Sequence, residues 1–104
     1  MDKAALLQKR FAHEEVELDG LGSITVRGLA RGEVNELMAM NPDQNAFDRF
    51  VLSRAMVDPK MSEKDVEEWQ KVSPPNEIGT VIEVVLRLSG LSAGAEKSGL
   101  QEAS

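Results

Sequence analysis

The sequence predicts an α+β fold, an N-terminal antiparallel β-hairpin packed against three or four α-helices, and three observations carry that prediction. Between Glu14 and Arg27 two short runs alternate apolar and polar residues at period two, with glycines between them. Beyond Gly28 the apolar spacing changes to the helical period. Three proline-containing breaks, Asn41-Pro42, Asp58-Pro59 and Ser73-Pro74-Pro75, cut that remainder into segments of helix length. With 104 residues there is room for one domain, which buries a little over ~60% of its unfolded surface.

Taken in order, Asp2 is placed to cap a short helix through Ala12, with Leu6, Leu7 and Phe11 along a loose apolar side. Residues 1–13 therefore read as an arm or short helix ahead of a single α+β domain over 14–91. In the hairpin, Val16 and Leu18 alternate with Glu15 and Glu17, and Ile24 and Val26 with Thr25 and Arg27, so each strand has one apolar and one wet face. Asp19-Gly20 and Gly22 supply the positive-φ positions of the connection. Leu29 then precedes a helix with Val34, Leu37 and Met38 at helical spacing. Ala30 followed by Glu33 looks like a capping box that has lost its hydroxyl residue.

The next helix is expected from about Asp43 to Val57, with Phe47, Phe50, Val51 and Ala55 toward the core and Asp58-Pro59 ending it. On a helical wheel Leu52 and Met56 point away from that arc and Arg54 falls inside it. Arg54 either snorkels at the helix end, where the dipole favours a cation, or pairs with Glu33 or Glu36. Ser62-Glu63-Lys64-Asp65 opens an acidic, capped helix to about Val72 that carries Val66, Trp69 and Val72. A last helix from Asn76 to Ser89 ends at Gly90. From Ser92 the residues are small and polar without a period, which reads as a flexible tail over 92–104.

That last helix is over-apolar. Ile78, Val81, Ile82, Val84, Val85, Leu86 and Leu88 spread over an arc of roughly 200°, against the ~100° that one core face needs. Two readings follow: the helix is central in a small core, or one flank near Val84, Leu88 and Leu91 is left for another protein.

Composition excludes several kinds of chemistry. The chain has no cysteine, so it has no disulfide, thiolate nucleophile or cysteine-ligated metal, and a reducing compartment is favoured. A formal charge of -6 opposes binding to a phosphate backbone. No stretch reaches the length of a membrane span or has the form of a signal peptide, so a cytoplasmic location is expected. His13 lies in a polar run beside Glu14 and Glu15, with no partner for acid-base work. Ser23, Ser53 and Ser62 fall in a hairpin, mid-helix and at a cap, none of them a nucleophile's setting. Gly20-Leu21-Gly22 lacks the lysine and following helix of a phosphate loop. The Glu67-Glu68 pair reads as a wet face. Met38, Met40, Met56 and Met61, near helix ends, suit either gap-filling or an adaptable contact surface. No enzyme, cofactor or metal is expected.

The run from Ile24 to Val34, Ile-Thr-Val-Arg-Gly-Leu-Ala-Arg-Gly-Glu-Val, resembles the strand, Arg-Gly-Leu, Arg-Gly-Glu-helix signature of tail assembly chaperones from long-tailed bacteriophages, those of actinobacterial phages in particular. The likeness continues through Leu52–Lys60, with Val-Asp-Pro after a helix, the capped helix from Ser62 to Val72, and a final helix ending in Ser-Gly-Leu at Leu91. It covers roughly Phe11 to Leu91. Ala30 departs from the Ser or Thr expected there. The resemblance implies a non-catalytic chaperone of the host cytoplasm that binds the long helical tape measure protein. It keeps that client soluble until tail tube subunits polymerise, and is absent from the mature virion. Tail tube protein and further copies of the chain are other implied partners, and many such chaperones also have a longer frameshifted product.

On that reading the client surface is expected on the last helix at Val84, Leu88 and Leu91, with Leu52 and Met56 contributing. The runner-up is a structural head-tail or tail completion protein retained in the virion. A third reading is a small acidic inhibitor that mimics nucleic acid.

Overall fold

A computed structural model describes residues 1–8 and 11–91, so the expected tail over 92–104 lies outside the described residues. Its elements are α1 (Lys3–Leu6), β1 (His13–Leu18), β2 (Gly22–Arg27), α2 (Arg31–Met40), α3 (Gln44–Ala55), β3 (Met56–Asp58), α4 (Glu63–Val72) and α5 (Glu77–Leu88). This is an α+β fold with a three-stranded antiparallel sheet in the order β1-β2-β3.

The hairpin forms where the alternation placed it. Val16 stands opposite Ile24, and Leu18 opposite Gly22, which puts the apolar residues of both strands on one face. Glu15 opposite Thr25 and Glu17 opposite Ser23 make the other face polar. Gly20 and Gly22 take φ of 79° and 116°, the left-handed values that the loop required.

The helices cover the apolar face. α5 packs against β1, β2 and α3, and α3 in turn receives α2 and α4. The core is aliphatic around Phe50, with Val26, Val51, Leu52, Val81 and Val85 sealed. α5 is therefore central: Ile78, Val81, Ile82 and Val85 are buried, and Val84, Leu86 and Leu88 are half-buried against the core.

Three expectations need correction. The first helix stops at Leu6 rather than Ala12: Asp2 caps it by accepting from the Ala4 N–H, but it has no buried residue to anchor it. α3 ends at Ala55, and Met56–Asp58 forms a third strand beside β2, with Met56 opposite Val26. The residue before proline avoids the helical region, and β-branched Val57 favours extended backbone. Leu52 and Met56 do not point outward, being 0% and 4% exposed. Leu52 is covered because α3 has neighbours on more than one side, and Met56 has left the helix on which the wheel placed it.

The Arg-Gly-Leu and Arg-Gly-Glu segments are a structural clasp. Arg27 makes two parallel hydrogen bonds to Glu33, both 3.0 Å, with each side chain 15% exposed. Phe11 lies against the same guanidinium, 3.9 Å from ring centroid to Cζ. Glu33 also accepts from the Ala30 N–H at 2.8 Å, so half of the capping box persists without its hydroxyl partner. Gly28 is buried against the end of α5, where an added Cβ would stand 2.7 Å from the Leu88 carbonyl oxygen. The next N–H, of Leu29, donates to the Ser89 hydroxyl at 2.8 Å, and that hydroxyl donates to the Val85 carbonyl at 2.6 Å.

α5 ends as its glycine foretold. Gly90 has φ of 79°, its N–H reaches the Arg87 carbonyl, and the Leu91 N–H returns to the Leu86 carbonyl. This paired closure leaves Leu91 half-buried over the last turn.

Candidate functional site

The apolar face of the sheet extends beyond its helical cover. At the hairpin-turn end, Leu18 and Ile24 continue past the packed helices and form one side of an open groove of about 550 Å³. Met56 of β3, Pro59 and Met61 from the following loop, and Trp69 and Val72 of α4 complete it. Leu21 at the tip of the hairpin and Val72 at the end of α4 stand at 77% and 80% exposed on its rims.

Local sequence explains each wall. α4 begins at a capping box in which the Ser62 hydroxyl accepts from the Asp65 N–H at 3.1 Å and Asp65 accepts from the Ser62 N–H at 3.0 Å. The Trp69 indole N–H donates to Glu77 at 2.8 Å, tying α4 to α5 and satisfying the one polar atom of the ring. What the indole offers the groove is thus hydrocarbon. Lys60, Asp65 and Glu68 are its charged lining residues. Such a surface makes non-directional contact with apolar side chains.

A second, smaller cleft of about 190 Å³, also lined by Leu18, is bordered by Glu17, Asp19 and Glu77. Among the described residues no group of three or more histidine, cysteine or acidic side chains is placed to hold a metal ion. No described helix is long and apolar enough to cross a membrane.

The sequence-predicted contact residues are scattered. Val84, Leu88 and Leu91 are half-buried on and just beyond α5, away from the groove, and Leu52 is sealed in the core. Met56 does reach the groove, as part of its floor with little surface open. Of the methionines, Met56 and Met61 line the groove, whereas Met38 and Met40 are 63% and 48% exposed on α2. Sequence reasoning missed Leu18, Leu21, Ile24, Trp69 and Val72 as a group. The available signal was Leu21, a large apolar residue between two glycines at a hairpin tip.

Arg54 pairs with neither Glu33 nor Glu36. It bonds Glu63 at 3.2 Å, the acid at the start of α4, and its guanidinium lies over the Phe50 ring at 3.8 Å. Glu33 faces Arg27 across the β2–α2 junction instead, so the alternative based on wheel position fails.

Comparison of the chain with protein-family models, with curated proteins and with solved structures finds no match in any of the three. The site is therefore read from its own geometry.

Partial burial pushes the Asp48 carboxyl above the usual carboxylate value, opposed by a hydrogen bond from Gln44 at 2.8 Å. A raised folded-state pKa favours folding below the unfolded-chain value, and that contribution is lost as pH rises through the folded value. Asp48→Asn, which retains an acceptor for Gln44, is expected to raise the melting temperature slightly at neutral pH. The gain should vanish in acid, where the wild-type carboxyl is also neutral. Thermal melts of both proteins across that pH range check it.

Proposed function

We infer that this protein is a non-catalytic chaperone of phage tail assembly, which holds apolar segments of the tape measure protein and keeps that client soluble in the host cytoplasm. The observation that carries the reading is the open apolar groove between the hairpin and α4, which leaves Trp69, Met61 and Ile24 facing unfilled space. A client helix laid there would present side chains at i, i+3 and i+4, and three or four large aliphatic groups match the available volume. The methionines Met56 and Met61 suit many client sequences, because an unbranched thioether repacks at little cost. A net charge of -6 keeps a loaded complex dispersed.

The resemblance of Ile24–Val34 and the final Ser-Gly-Leu to the tail chaperone signature supports the same reading, although in this chain those residues build the clasp and helix closure rather than a contact surface.

Co-expression tests it. The tape measure protein produced alone should pellet, and production with this chain should raise its soluble fraction severalfold. Mass spectrometry of purified particles should lack the chain. A client that stays insoluble at equal chaperone expression would refute the reading, and the chain's presence in purified particles would favour the structural completion protein.

A further inference from the structure

We propose that in the free protein the groove is covered by a second copy of this chain, each copy's Leu21 entering the other's groove. Apart from the N-terminal Met1, Val72 and Leu21 are the most exposed large apolar side chains among the described residues, and both stand on the rims of this one groove. A protruding leucine beside an unfilled apolar recess makes the patch complementary to itself. Because knob and recess are adjacent on a single surface, mutual insertion is isologous and closes at two copies.

The rim charges fit the same pairing. Lys60 and Asp65 share this lining and neither forms an ion pair among the described residues, whereas Glu68 is already paired with Lys71 at 3.6 Å. A twofold operation turns Lys60 of one copy toward Asp65 of the other, which fixes register more than strength. Each copy carries a charge of -6, so repulsion opposes the pair and added salt should tighten it. An association with a basic partner would respond to salt in the opposite direction.

Trp69 is the chain's single tryptophan and lines the groove, so it reports occupancy directly. Sedimentation equilibrium of the full chain, from micromolar to millimolar concentration, should show the mass rising from one chain toward two. Trp69 emission should move to the blue with the same midpoint, and the dissociation constant should fall as salt is added. Leu21→Lys and Val72→Lys, at exposed positions, should each weaken association at least tenfold while circular dichroism and melting temperature stay unchanged. A single-chain mass with constant emission over the whole range would overturn the proposal. So would a dimer unaffected by either substitution, or one that salt dissociates. No client enters the measurement, so its outcome is independent of the chaperone reading.

Discussion

Gly28→Ala is expected to cost about 2–3 kcal/mol of folding stability, the scale of an overpacked core position. The new methyl would lie 2.7 Å from the Leu88 carbonyl oxygen and 2.8 Å from its carbon. Both are backbone atoms at the end of a central helix, so no side-chain rotation relieves the clash and α5 must retreat from the β2–α2 junction. Retreat also breaks the bond from the Leu29 N–H to Ser89 at 2.8 Å, leaving a buried donor without its partner. Gly32→Ala provides the contrast. An alanine there meets nothing within 4 Å and sits in the first turn of α2, where lower unfolded-state entropy should stabilise by up to about 1 kcal/mol. Urea titrations of the two variants should move the midpoint in opposite directions. Equal behaviour would mean that the close approach of α5 to Gly28 does not constrain the fold.

What was legible in the sequence follows the range of the interactions concerned. The turn at Gly20 and Gly22, the caps at Asp2 and Ser62 and the closure at Gly90 each depend on a few neighbouring residues, and each forms at its predicted place. β3 was not legible because three residues are too few to alternate, and its pairing with β2 joins residues about thirty positions apart. Leu52 was misplaced because a wheel supposes one buried face, and α3 receives helices on several sides. The groove was hidden for the strongest reason. Its walls come from a hairpin, a loop and a helix that are brought together only by tertiary packing, so neither Leu18 nor Trp69 carries a local mark of membership.

The same long-range assembly determines where a client-binding defect should map. Met61→Glu combined with Val72→Glu is expected to abolish most of the severalfold gain in soluble tape measure protein on co-expression while the chaperone itself stays folded. Val72 is 80% exposed and Met61 only partly covered, so two carboxylates there remain hydrated and act mainly by making the groove repel apolar side chains. Val84→Glu on α5 should fail differently. Val84 is packed against the core, and a carboxylate forced into that half-buried position should first lower folding stability, by about 2 kcal/mol. Chemical denaturation beside the solubility assay separates the two effects. Were Val84→Glu to release the client at undiminished stability while the groove variant kept it soluble, the contact surface would lie on the flank of α5 near Leu88 and Leu91, and the groove would be left to self-association alone.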